Sequence, residues 1–390
     1  IGEGLGVCTP ADYARETATS PQGEGCPNNS KVGTVKIATP LLAEEATGAL
    51  YIAKQYDNPF NSLLAMYIVA KIPDRGVIVK VPGKVSPDPR TGQLTTTFDN
   101  LPQLPFSKFT LSFREGQRSP LSTPPTCGTF TVGAEFVPWS ATDPNNPQPG
   151  EIASHQDAFT VTQGPGGGGC PASNGQRPFK PFMQAGTLNN YAGSYSPVTV
   201  RMSRSDGEQE ITSFSAKLPQ GLIGKLAGIP YCSEAEIASA SGKTGAEETR
   251  SPSCPGASQV GRTLVGAGVG GVLAYAPGKV YLAGPYNGAP ISIAAITSAT
   301  VGPFDLGTVV VRSAFKVDPE TAAVTVDSQS SDPIPHILKG VQLHVRDVRV
   351  YMDRPDFTLN PTSCDPFAFE GTLPGPGQDT ASKDADASAP

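Results

Sequence analysis

The sequence predicts an all-β protein of tandem β-sandwich-like domains, each with one short helix and each stapled by disulfides. Three observations carry that expectation. The 390 residues include 43 glycines and 40 prolines, a load that breaks helical hydrogen-bond ladders but suits sheets joined by many turns. Short alternating or β-branched runs recur between turn residues, at 31–38, 49–54, 76–81, 308–317, 341–351 and 367–373, as half-buried strands require. Cys8, Cys26 and Cys127 recur in the same order as Cys232, Cys254 and Cys364, which marks an internal repeat.

The text between the cysteines repeats as well. Cys26-Pro27 matches Cys254-Pro255, Val32-Gly33 matches Val260-Gly261, and GALYI at 48–52 matches GKVYL at 278–282. Tyr56 matches Tyr286, DPRT at 88–91 matches DPET at 318–321, and Leu101-Pro102 matches Ile334-Pro335. Ile1-Gly2 aligns with Ile223-Gly224, so the first copy has no counterpart of 177–222. The expected organisation is therefore an N-terminally incomplete copy one at 1–137, then a closing strand (158–162) between Gly/Pro linkers at 138–176. A block at 177–222, copy two at 223–373 and a small, acidic, disordered tail at 374–390 follow. In the block, the runs 198–204 and 210–218 around Asp206-Gly207 read as a hairpin, since a D-G pair supplies the positive φ of a tight turn. A start at Ile1 rather than Met reads as a processed product or an excised piece.

Each copy opens with its helix. Thr9 suits the N-cap with Pro10 at the first helical position, and Ser233 with Glu236 makes a capping box. Each cap directly follows a Cys, and a bond from there to the next Cys would pin the helix and its loop to the sheet. That pairs Cys8 with Cys26 and Cys232 with Cys254. Cys127 and Cys170 flank the closing strand and pair with each other, which leaves Cys364 alone; if the chain is a window cut from a longer tandem array, its partner is expected just beyond the cut. Seven cysteines, almost none in redox or metal spacing, fit an oxidising compartment, and the expected location is extracellular or at the cell surface.

At these residues a family resemblance enters. LPQGLIGKLAGIPYC (218–232), CPGASQVG (254–261), GKVYLAGPYNGAPISI (278–293), GPFDLGTVVVRSAFKVDPETA (302–322) and FTLNPTSCDP (357–366) resemble stretches of large, secreted, tandem-repeat surface proteins of actinobacteria. Copy two follows that pattern almost throughout, whereas copy one has diverged and lacks the LNPTSCDP wording before Cys127. The resemblance implies an exported, surface-associated polypeptide and brings no active-site residue with it.

The remaining chemistry reads as structural. A formal charge of −6 without Lys/Arg clusters speaks against a nucleic-acid partner. The longest apolar run, 63–70, is too short to span a bilayer. Gly266 to Gly271 fits the letters G-x-G-x-x-G, but Pro277-Gly278 follows too soon for a dinucleotide-binding helix, so a turn between strands is expected. His155, His336 and His344 stand outside metal-ligand spacing and read as surface residues, His344 on the solvent side of a strand. Asp88, Asp318, Asp353, Asp356 and Asp365 match no calcium-binding spacing, and Asp88 and Asp318 precede Pro in turns, where an Asp bonds its own backbone. No catalytic, cofactor-binding or metal-ligating constellation emerges, and the chain reads as a non-enzyme.

Two functions lead, with a secreted hydrolase third on nothing more than unclustered Ser, His and Asp. The first is an extracellular structural protein, a spacer or filament- or sheath-forming subunit that self-associates into an array. The alternative is an adhesin or glycan-binding module, in which the in-register turn residues Tyr56, Asn58, Tyr286 and Asn287 face a surface glycan. Tyr51 and Tyr281, also in register, read as core.

Overall fold

The computed structural model describes residues 4–116, 119–164, 167–375 and 380–386. The Ile1-Gly2 alignment and the middle of the GPGGGG linker lie outside them. The chain is all-β, with three disulfides.

The first body begins with the expected helix, α1 (Pro10–Arg15), started by Thr9, whose hydroxyl accepts the Asp12 N–H while the Asp12 carboxylate accepts the Thr9 N–H. Six strands follow: β1 (Lys31–Ala38), β2 (Ala46–Ile52), β3 (Leu64–Ile72), β4 (Val77–Pro87), β5 (Leu94–Thr97) and β6 (Lys108–Phe113). They form one antiparallel sheet in the order β5-β4-β3-β2-β1-β6. The Cys8–Cys26 disulfide, Cα–Cα 4.9 Å, lies buried under α1, and the Cys8 N–H reaches the Ile52 carbonyl at 2.8 Å. The helix side of the sheet is a core of Tyr51, Ala53, Ala65, Tyr67 and Val69, with Tyr13 of α1 stacked on Tyr67 at 4.0 Å. Beyond the sheet, β7 (Gly128–Phe136) and β8 (Ala153–Val161) pair, among the described residues, only with each other, as a two-stranded ribbon tied at its base by Cys127–Cys170. The strand expected at 158–162 is thus real but does not close the first sheet. Among the described residues it bonds β7 alone.

The second half builds an eleven-stranded sheet. Its strands are β9 (Phe182–Thr187), β10 (Val198–Ser203), β11 (Ser215–Lys217), β13 (Gln259–Ala267), β14 (Ala274–Ala283), β15 (Ile291–Val301), β16 (Phe304–Val317), β17 (Val324–Asp327), β20 (Val345–Met352), β22 (Ala368–Pro374) and β23 (Thr380–Asp386). Two short pairs, β12 (Ile223–Gly224) with β21 (Thr358–Leu359) and β18 (Ile337–Leu338) with β19 (Val341–Gln342), lie apart from it. The sheet order is β23-β22-β11-β17-β16-β15-β14-β13-β20-β10-β9, and β9 at one end comes beside β23 at the other. The sandwich-like packing expected from sequence is reached here by one sheet curling on itself. Residues from both ends, Met183, Ala185, Val198 and Met202 with Ala216, Phe369 and Leu373, share one core.

Within this sheet the run β17-β16-β15-β14-β13-β20 repeats the strand order of the first body. The correspondence reaches individual residues. A β-bulge interrupts β1 at Lys31/Gly33 and β13 at Gln259/Gly261. Cys232 N–H reaches the Leu282 carbonyl at 2.8 Å, and Cys232–Cys254 has a Cα–Cα distance of 5.3 Å. Asp88 Oδ1 accepts the N–H groups of Arg90 and Thr91 at 2.9 and 2.7 Å, and Asp318 Oδ1 those of Glu320 and Thr321 at 3.0 and 2.7 Å. The two matched Val-Gly pairs also acquire a reason. A Cβ on Gly33 would lie 2.7 Å from the Ser112 carbonyl oxygen, and one on Gly261 would lie 2.2 Å from that of Tyr351. At Gly48 the nearest atom, the Val69 carbonyl oxygen, would be 1.8 Å away. Gly48→Ala is therefore expected to cost about 1–3 kcal/mol or more by forcing two strands apart. Urea unfolding measures it, and a change under about 0.5 kcal/mol, the scale of an ordinary surface substitution, would show that the strands can yield.

Three sequence expectations are corrected. The second body carries two helices, α2 (Glu234–Gly242) and α3 (Gly245–Arg250), because Thr244 and Glu247 form a further capping box that starts a new helix after the Ser233/Glu236 one. The Asp206-Gly207 turn forms no hairpin. β10 has β9 on one edge and β20 on the other, so both edges are occupied, and the chain crosses to pair β11 with β17 and β22. The tail is not wholly disordered, since Thr380–Asp386 lies antiparallel on β22, whose outer edge offers unpaired backbone groups. Residues 376–379 and 387–390 of that tail fall outside the described ones.

The two bodies touch directly. Gln55 Nε2 donates to the Asp305 carbonyl at 2.6 Å while Asp305 N–H donates to Gln55 Oε1 at 2.7 Å, and Gln342 Nε2 reaches the Thr91 carbonyl at 3.0 Å.

Candidate functional site

The four turn residues expected to face a ligand are mostly spent on their own loops. Asn58 donates to the Lys54 and Ser62 carbonyls at 2.8 Å each and accepts the N–H groups of Phe60 and Ser62 at 3.1 and 3.2 Å, so its amide shapes the loop. Tyr286 donates its hydroxyl to Asp332 at 2.6 Å, and its ring lies under the Arg312 guanidinium, 4.3 Å from the centroid. Its pKa is raised by that bond to Asp332. Asn287, at φ 46°, donates to the Ser330 carbonyl at 3.0 Å. Tyr56 is 47% exposed at φ 53°, with Lys339 Nζ over its ring at 5.9 Å from the centroid. The structure does not assemble a sugar platform from these residues, while Tyr51 and Tyr281 are buried core.

The other motifs resolve into structure. Gly266 to Gly271 lies at the turn joining β13 and β14. His155 and His336 are exposed. His344 is not a solvent-facing strand residue, however. It takes φ 48°, breaks the run expected at 341–351, and puts Nδ1 3.2 Å from Glu210 Oε1. Among the described residues no three His, Cys, Asp or Glu side chains gather to hold a metal ion. No helix among them is long and apolar enough to cross a membrane. Cys364 is free and exposed.

What sequence reasoning missed is the machinery that locks residues 177–222 onto β20. Asp347, 2% exposed, accepts Arg201 Nε, Arg349 Nε and Tyr275 Oη, each at 2.9 Å. One turn on, buried Arg204 donates to the Val345 and Glu208 carbonyls at 2.8 and 2.9 Å and to Glu210 at 3.1 Å. Arg177 donates to the Gly207 carbonyl at 3.0 Å and also to that of Glu208. No local sequence signal joins Arg201 to Asp347, because the pair forms only once β10 is laid against β20.

Burial pushes both carboxylates upward, but their partners win: Arg201, Arg349 and Tyr275 hold Asp347 below its ordinary pKa, and His344 and Arg204 hold Glu210 below its own. A carboxylate with a depressed folded-state pKa stabilises the fold above its unfolded pKa, about 4, and that contribution is lost as pH falls through the folded value. The second body should thus lose stability below about pH 4. Asp347→Asn with Glu210→Gln should start about 1–3 kcal/mol less stable at neutral pH and fall less on acidification. Urea titrations at the two pH values test this, and an equal acid loss in the variant would remove these carboxylates from the account.

The corresponding places in the first body are open. β6 pairs with β1 on one edge, and among the described residues nothing occupies the other, whereas β20, its counterpart, carries β10 there. The ribbon β7/β8 follows Cys127 as β22/β23 follow Cys364. Phe369 and Leu373 of β22 are 2% and 0% exposed, but the ribbon presents Val132, Phe136 and Phe159 at 60%, 55% and 42%. The cross-strand pairs Phe130/Phe159, Val132/Asp157, Ala134/His155 and Phe136/Ala153 put these side chains on one face. Phe106, Phe109, Val137 and Trp139 are exposed nearby in the chain.

No protein-family model, curated protein or solved structure matches the chain.

Proposed function

We propose that the chain is an extracellular structural protein, a spacer built from two tandem copies of one disulfide-stapled β unit, that lends length and stiffness to a surface assembly. The single observation behind this reading is the same six-strand order in both bodies, with bulge, capped helix, disulfide and Asp turn at matching places. Three disulfides suit an oxidising, extracellular setting. The reciprocal Gln55–Asp305 pair favours a fixed joint over a loose linker. The resemblance to secreted repeat proteins fits this reading in so far as it implies an exported, surface-associated polypeptide. A glycan-binding role draws less support, because Asn58 and Tyr286 already have their partners within the fold.

A spacer should scatter as an elongated particle, its bodies end to end, and micrographs of concentrated material should show strings or sheaths. Small-angle scattering that returns a sphere-like particle, together with tight retention on a glycan array, would replace this reading with the binding one.

A further inference from the structure

The second body shows what the first one lacks. By the shared register on β1 and β13, Phe109, Leu111 and Phe113 of β6 stand where Val348, Val350 and Met352 stand on β20. In the second body, Val348 and Met352 pack with Val198, Val200 and Met202 of β10, and the same core takes in Phe369 and Leu373 of the C-terminal ribbon. In the first body Phe109 is 43% exposed, and Leu111 and Phe113 are only half-buried. One strand edge and one apolar ribbon face, separate in the first body, are joined in the second by residues 177–222.

The charges specify the occupant further. Lys108 occupies the register position of Asp347, which in the second body binds Arg201 of the added strand. A strand seated on β6 therefore needs an acidic residue where β10 has Arg201. A second copy of this chain is a poor donor: its 177–222 block is already sunk in its own core, and Arg201 would meet Lys108 as a like charge.

We propose that the open edge of β6 and the apolar face of the β7/β8 ribbon form a docking surface for a β block from another stretch of polypeptide. That block is built like 177–222, with alternate apolar residues facing inward and an acidic residue at the place of Arg201, which in the second body reaches the Asp347 position diagonally. Strand addition supplies the main-chain bonds, alternate side chains fill the core, and the Lys108 pair selects the partner. This rests on the spacer reading and names the contact by which one unit joins the next.

The test uses the whole chain and two synthetic peptides of residues 179–222, one with the native sequence and one with Arg201→Glu. Trp139, the one tryptophan of the chain and 46% exposed, reports on burial close to the ribbon. The Arg201→Glu peptide should shift its emission to the blue and bind about tenfold tighter than the native peptide. Lys108→Glu in the chain should reverse that preference, and Phe136→Ser, at an exposed site where folding is not at stake, should weaken both. Equal binding of the two peptides to both proteins, no emission change at millimolar peptide, or self-association of the free chain that Phe136→Ser abolishes would each overturn the proposal. A particle that scatters as a rod yet ignores both peptides sinks this inference alone. A sphere-like particle that binds Arg201→Glu selectively sinks the spacer reading instead.

Discussion

Leu373→Ala is expected to cost the second body about 2–5 kcal/mol and to leave the first unchanged. Leu373 is fully buried in the one core that spans both ends of the curled sheet, among Met183, Met202 and Phe369. Truncation leaves a cavity there, and the surrounding strands cannot collapse onto it without breaking the pairing of β22 with β11. The first body shares no core residue with this cluster, so the two should respond independently. Hydrogen exchange read by mass spectrometry gives the answer strand by strand. Amides of β9, β10 and β22 should lose protection while those of β2 and β3 keep theirs. Equal loss in both would mean that the bodies unfold as one cooperative unit.

Cys8→Ser with Cys26→Ser, and Cys232→Ser with Cys254→Ser, should each cost about 3 kcal/mol. The closed loops are similar, with separations of 18 and 22 residues, so the denatured chain gains similar freedom in the two cases. The native side adds to the loss. α1 has six residues, far fewer than an isolated helix needs in water, and it is held by its cap, the buried disulfide and the Tyr13–Tyr67 stack. Far-ultraviolet circular dichroism and urea midpoints measure both. Cys127–Cys170 closes a longer loop of 43 residues, which loop entropy alone would rank first. It ties a solvent-exposed ribbon rather than a sheet core, so its removal should loosen the ribbon and spare both midpoints. A large drop in either midpoint would show that the ribbon is packed more firmly than its exposure suggests.

Much of this architecture is local information and was therefore legible in sequence. The Thr9 and Ser233 caps, the disulfides beside them, the Asp88 and Asp318 turns and β1 depend on neighbours a few residues away or on a motif that appears twice in the sequence. The second box at Thr244 and Glu247 was equally local and equally readable. What only the tertiary structure decided is which edges meet. Asp206-Gly207 made a turn but no hairpin, because whether β10 bonds β11 or β20 depends on which edge is free, a property of the assembled sheet. Likewise Tyr286 and Asn58 have the composition of a sugar site, yet their partners Arg312, Asp332 and Ser62 settle what they do, and Arg312 and Asp332 are distant in sequence from Tyr286. The open edge of β6 carries no sequence mark either. An unpaired strand and a paired one alternate alike, and the difference lies in whether a neighbour supplies the missing hydrogen bonds.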